Sequence, residues 1–177
     1  RNMMTDTPRL SGLTTAVPPH ILDTSNVVKQ AGRIFARFGN KFESMIPVFT
    51  NTGIDRRYSV CPTDWFDQKN GWPERTKQFL DGAKMLFKQA SSEALLEAGV
   101  TANEIDVIVT VSSTGIATPS IEAHVMHEMG FRDDVLRVPV FGLGCAGGVT
   151  GLAIAADLAK AKPGRKVLIC VIELCTL

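Results

Sequence analysis

The sequence lacks the marks of several broad protein classes. No apolar run approaches the ~18 residues of a transmembrane helix. The N-terminus, Arg1-Asn2-Met3-Met4-Thr5, has no apolar stretch of the secretory-signal kind. Lys and Arg number 19 against 18 Asp and Glu, for a net charge of +1. That leaves no basic excess for nucleic acid or a membrane surface. Arg56-Arg57 and Arg165-Lys166 are the only adjacent basic pairs. The four cysteines, Cys61, Cys145, Cys170 and Cys175, include no CxxC pair and no metal-ligand spacing. With no export signal they read as reduced thiols of a cytoplasmic protein. Repeats and low-complexity segments are absent. Histidine is scarce, with three residues in the chain.

What is present is core. The chain has 177 residues, 45% hydrophobic and 21% charged, enough for one domain with a real interior. Residues 10–17 are rich in β-formers and end at Pro18-Pro19. Asp23-Thr24-Ser25 offers caps for a helix over Val27 to Phe38. Residues 40–72 read as irregular, with aromatics at Trp65, Phe66 and Trp72. The spacing of Phe79, Ala83, Leu86, Phe87, Ala90, Ala94 and Ala98 predicts a long helix over 74–98, stopped by Gly99. Thr101-x-x-Glu104 is a capping-box pattern. Ile105 to Val111 alternates and is β-branched, so it predicts a strand. Thr118-Pro119-Ser120 starts a helix that stops at Gly130, with Pro at the first helical position. Val138 to Phe141 predicts a strand, with Pro139 placing it near a sheet edge or a strand start. A small-residue helix follows over Ala146 to Ala161. Lys166 to Ile172 is continuously apolar, which predicts burial on both faces. Helices alternating with strands imply a parallel sheet in a layered α/β protein. A buried strand directly before Leu177 with no closing helix leads us to expect the N-terminal part of a longer protein.

Gly142-Leu143-Gly144-Cys145-Ala146-Gly147-Gly148 lies between a predicted strand and a predicted helix. It allows three readings. A cysteine on such a turn stands beside the helix's unpaired N–H groups, the setting of a nucleophile. Gly142-x-Gly144-x-x-Gly147 also matches a dinucleotide fingerprint, with Glu173 as the acidic residue after the next strand. Cys145 as a small buried apolar residue is the third. A thiolate nucleophile needs a base and an oxyanion holder. Backbone N–H groups around Cys145 supply the second. For the first, His20 follows a Pro-Pro turn, and His124 and His127 share a helix face with Glu128. That face reads as solvated, with no third metal ligand at suitable spacing, and none of the three histidines pairs convincingly with Cys145. A partner beyond residue 177 is expected.

The run from Val138 to Leu177 resembles the nucleophile region of the chalcone and stilbene synthases, the type III polyketide synthases. The residues that carry it are Gly144-Cys145-Ala146-Gly147-Gly148, then Leu152-Ala153-x-x-Ala156-Asp157-Leu158-Ala159, then Arg165-Lys166-Val167-Leu168 leading to Glu173. Upstream, Thr52-Gly53-Ile54-Asp55-Arg56-Arg57-Tyr58 and Ser113-Thr114-Gly115-Ile116-Ala117-Thr118-Pro119 resemble two further motifs, in the family's order.

The resemblance implies a thiolase-like α/β fold of layered α-β-α-β-α type, of which residues 1–177 are the N-terminal half. It implies a homodimer, and acyl-CoA and malonyl-CoA as substrates with no separate cofactor or metal. It implies a Cys-His-Asn triad with Cys145 as nucleophile and the other two in the missing half, so that this half alone is inactive. Ser113 and Thr114 match pocket positions. Thr118 matches a residue reaching into the partner's cavity, where plant enzymes have methionine. Cys175 matches a pocket position commonly threonine. Ser44, Pro47 and Asn51 stand where plant enzymes hold coenzyme A with basic residues. Arg56 and Arg57 remain as candidates for that contact, with a structural ion pair as the alternative. The rival functions are a β-ketoacyl carrier-protein synthase of the fatty-acid priming type and a dinucleotide-binding domain.

Overall fold

The computed structural model describes residues 7–36 and 40–177. They form two compact units, one of residues 17–78 with 176–177, the other of residues 7–16 with 79–175.

The first unit is built on a short hairpin-like pair. Strand β1, His20–Asp23, leads into helix α1, Thr24–Ile34. Helices α2, Asn40–Glu43, and α3, Ile46–Asn51, follow, then strand β2, Arg56–Ser59. β1 and β2 pair antiparallel, with Leu22 opposite Arg57 and Asp23 opposite Arg56. This corrects two expectations. The strand lies after Pro18-Pro19, not over 10–17. Residues 40–72 are not irregular, holding two helices, a strand and a single 3-10 turn at Thr63–Asp67. Asp23 is the N-cap of α1 but makes no side-chain cap bond. The Thr24 N–H bonds Asp55 O at 3.0 Å instead. The predicted helix end at Phe38 lies outside the described residues. Arg75 stacks over the Trp65 ring at 5.5 Å, which accounts for part of the aromatic stretch.

Helix α4, Trp72–Ala98, begins in this unit and carries its apolar stripe into the other. Phe79, Ala83, Leu86 and Phe87 are buried, as the spacing predicts. Residues 10–16 have no regular structure because their polar groups are used along α4. The Leu13 N–H bonds Glu97 Oε2 at 3.0 Å, and Thr14 Oγ1 bonds Ala90 O at 2.8 Å. A Cβ on Gly12 would lie 2.6 Å from Ala94 O. The small row Ala90, Ala94, Ala98 therefore receives a chain segment at close range.

After α4, the Thr101–Glu104 capping box forms as read. Strand β3, Val107–Val111, is buried at every position. Helix α5, Ile121–Met129, starts one residue after Ser120, so Pro119 precedes the cap and is not the first helical residue. Strand β4, Leu136–Val140, helix α6, Gly147–Lys160, and strand β5, Val167–Val171, complete the unit. The sheet order is β4-β3-β5, all parallel, with Thr110 opposite Pro139 and Cys170. Pro139 is thus on an edge strand, as expected. β3 is central and buried at every position. β5 is the outer of the three strands described, with Leu168 and Cys170 buried and Val171 exposed, so within this chain it is not covered along both faces as its apolar run predicts.

One sheet face packs Val107, Val109 and Val111 against Ala155, Ile154 and Leu158 of α6. The other presents Ile108, Thr110 and Cys170 toward α5 and α4. Alternate residues of a strand face opposite ways, so two helical layers can claim β3. Lys166 and Arg132 anchor the amino end of the sheet. The Lys166 N–H bonds Asp106 Oδ2 at 2.9 Å, and Arg132 Nη2 bonds Asp106 Oδ1 at 3.1 Å.

Candidate active site

The carboxyl ends of three parallel strands converge at Cys145, where open α/β sheets place their ligands. β4 runs into Phe141 and the turn 142–146. Gly142 and Gly144 have φ of 84° and 53°, values a side chain resists. A single 3-10 turn, Gly144–Ala146, then feeds α6. Cys145 lies in that turn, exposed, one residue before the α6 N-cap.

α6 can approach the sheet because its inner row is Gly147, Gly151, Ala155. A Cβ on Gly147 would lie 2.8 Å from Val111 Cγ1. The glycines of the fingerprint therefore serve the turn and helix seating.

The segment after β3 is tied to both neighbours. Gly144 N–H donates to Ser113 Oγ at 3.1 Å. Ser113 N–H donates to the Glu173 carboxylate, at 2.9 and 3.1 Å to its two oxygens. Leu174 N–H donates to Thr114 Oγ1 at 2.8 Å. Ser113, Thr114 and Gly144, the residue before Cys145, are thus bonded to one another or to the adjacent Glu173 and Leu174. Sequence reasoning missed Glu173 as a tether, placing it as the acidic residue of the dinucleotide reading and at the end of the run that resembles the family. It also missed the Ser113 bond. Gly115 is pressed so near Phe79 that a Cβ would meet the ring at 2.3 Å. Thr118 is exposed on the same loop, and Cys175 is exposed two residues beyond Glu173. Arg56 and Arg57 belong to the other unit, on β2. Arg57 buries Nη1 without a hydrogen-bond partner.

Two of the remaining thiols, Cys61 and Cys170, are buried and unsuited to nucleophilic work. Burial pushes Cys170 up to about 12, and the nearby Glu122 carboxylate pushes the same way. Burial also raises Cys61, against the opposing charge of Arg75. Of the His124, His127, Glu128 face, His127 contacts Asp133 at 3.4 Å and Glu128 takes Lys88 at 2.9 Å. Among the described residues, no three His, Cys, Asp or Glu stand together as metal ligands, and no helix is long and apolar enough to cross a membrane.

Residues 7–177 match the chalcone and stilbene synthases, N-terminal domain. The chain is 34% identical over 163 residues to a 1,3,6,8-tetrahydroxynaphthalene synthase of Streptomyces peucetius subsp. caesius, covering 92% of this chain and 43% of the relative. It is 30% identical over 173 residues to the alpha-pyrone synthesis polyketide synthase-like Pks18 of Mycobacterium tuberculosis (strain CDC 1551 / Oshkosh), covering 94% and 44%. The solved structure of the Streptomyces coelicolor A3(2) tetrahydroxynaphthalene synthase, a bacterial type III polyketide synthase, superposes with a TM-score of 0.86 at 30% identity, covering 93% of this chain and 48% of that one. The chain thus spans a little under half the length of these relatives. Its mixed α/β architecture is the N-terminal half of their thiolase-like fold. The family-model match over residues 7–177 and the fold shared with these relatives show that this chain belongs to the chalcone and stilbene synthase family, the type III polyketide synthases.

Proposed function

We propose that the complete protein condenses malonyl-CoA onto an acyl-CoA starter through a thioester on Cys145. The observation that carries this is the exposed Cys145 thiol at the mouth of the parallel sheet, beside the first turn of α6. The thiolate adds to the starter's carbonyl and coenzyme A leaves as its thiolate. Malonyl-CoA then loses carbon dioxide, giving an enolate. The enolate carbon attacks the Cys145 thioester, a carbon–carbon bond forms, and the Cys145 thiolate is released. The N–H groups entering α6 are placed to receive the oxyanion of each tetrahedral intermediate. A histidine and an asparagine from the remaining half would stabilise the enolate.

In this reading Ser113, Thr114, Thr118 and Cys175 face the growing chain, and Arg56 and Arg57 meet coenzyme A phosphates. The working form is a cytoplasmic homodimer with coenzyme A thioesters as its substrates and no resident cofactor. The test is to incubate the full-length enzyme with an acyl-CoA, digest it and map the acyl mass. It is expected on Cys145, and Cys145→Ala should abolish condensation. An acyl group on Cys61, Cys170 or Cys175 overturns the assignment. Transfer of product to a carrier protein in place of free coenzyme A would favour a carrier-protein synthase.

A further inference from the structure

We infer, on the reading of Cys145 as the acylated nucleophile, that Ser113 is a positioning residue whose hydroxyl holds the nucleophile's turn in register. The N–H of Gly144, the residue just before Cys145, donates to Ser113 Oγ at 3.1 Å across a sequence separation of 31 residues. Gly144 has a φ of 53°. The turn 142–146 is exposed, and few of its polar groups are bonded within it. Ala146 N–H to Leu143 O, at 3.2 Å, is such a bond. A turn of this kind keeps one geometry only when the structure around it imposes that geometry.

Ser113 is mounted to impose it. Its own N–H is clasped by both oxygens of Glu173. On either side, Ile172 N–H bonds Val111 O at 2.9 Å and Leu174 N–H bonds Thr114 Oγ1 at 2.8 Å. Ser113 therefore sits two residues past the last β3–β5 backbone bond, tied to the segment after β5 by the Glu173 side chain, and β3 is buried at all its positions. The hydroxyl transmits that rigidity to Gly144. Nucleophilic attack depends steeply on placement, and an error of about 1 Å costs on the order of a hundredfold in rate. A residue that only lined the pocket would alter KM or product length and leave the Gly144 amide alone.

The test uses the full-length enzyme. Hydrogen exchange at the Gly144 amide and the rate of Cys145 acylation are measured in wild type, Ser113→Ala and Ser113→Thr. The Gly144 amide should be protected in wild type despite its exposure. Ser113→Ala should speed its exchange about tenfold or more, the loss of one hydrogen bond. Acylation should slow by about tenfold to a hundredfold, in kcat more than in KM. Ser113→Thr, which keeps the hydroxyl, should restore both. Three results overturn the inference: an unprotected Gly144 amide in wild type, Ser113→Ala acylating at the wild-type rate, or Ser113→Thr behaving as Ser113→Ala. The wild-type measurement stands even if Ser113→Ala does not fold. Peptide mapping in each variant separates the two ideas, since an acyl group away from Cys145 fails the functional reading instead.

Discussion

Gly151 and Val111 are in such close approach that a Cβ on Gly151 would lie 2.6 Å from Val111 Cγ2, with Ile169 Cδ1 at 3.1 Å. The helix that follows Cys145 is therefore seated on β3 with no spare methyl's width. Gly151→Ala should destabilise the protein by about 1–3 kcal/mol, the usual cost of overpacking. Val111→Ala in the same chain should recover part of that loss. Denaturant unfolding of the single and double variants checks it, and simple additivity would show that the two positions do not meet.

Gly115→Ala should be more severe than an ordinary loop substitution. The added methyl would fall inside the Phe79 ring's envelope, 2.3 Å from two of its atoms. The ring is buried and cannot swing aside freely. We expect a lower unfolding midpoint and a shifted Ser113–Thr118 loop. Phe79→Leu should relieve the clash, seen as a smaller effect of Gly115→Ala in that background.

Thiol labelling should sort the four cysteines. At about pH 8, iodoacetamide should modify Cys145 in the native full-length protein and spare Cys61 and Cys170. Both spared thiols are buried, and burial keeps them in the unreactive protonated form. Unfolding should expose all four. Native labelling of Cys170 at the rate of Cys145 would contradict the buried placement.

Acid should act on the amino end of the sheet. Glu104 is held down to about 2, chiefly by the Lys166 ammonium that bonds it at 2.6 Å. Asp106 is lowered by the Lys166 backbone N–H, and Asp134 by Arg132. Each folded-state value is below the unfolded one. Their contribution is therefore present above the ordinary carboxylate range and fades as pH falls from about 4.5 toward about 2. Glu104→Gln should flatten the dependence of the unfolding midpoint on pH in that window by lowering the midpoint slightly at neutral pH while leaving the acid end nearly unchanged, the neutral loss being small because the pair is exposed.

Replacing Thr118 or Cys175 by Phe or Ala should change product length or starter preference in the full-length enzyme while Cys145 acylation persists. Product analysis checks this, and an unaltered profile across all four variants would remove both residues from the pocket.

The alternating order of helices and strands was legible because β-branched runs such as Val107 to Val111 and the α4 stripe are local patterns. The position of a strand within its sheet was not. The runs at 107–111 and 167–171 look equally apolar, yet β3 is the middle of the three strands described and β5 lies outside it, and only pairing decides that. The β1–β2 pair was illegible for the same reason, since Ile21 meets Tyr58 only in space. At the site, Cys145 announced itself through adjacent glycines. The holds on it did not, because Ser113 to Gly144 and Ser113 to Glu173 join residues 31 and 60 apart. Bonds over such distances leave no periodicity to read.

The segment at residues 10–16 has a place in time as well as in space. Its bonds to α4 span 76 and 84 residues. During synthesis, Gly12 to Thr14 leave the ribosome long before Ala90, Ala94 and Glu97 exist. They must wait unseated while everything between is made, and loop closure of that span is an entropic cost met late. Docking of this segment should therefore be among the last events of folding, and its release among the first of unfolding.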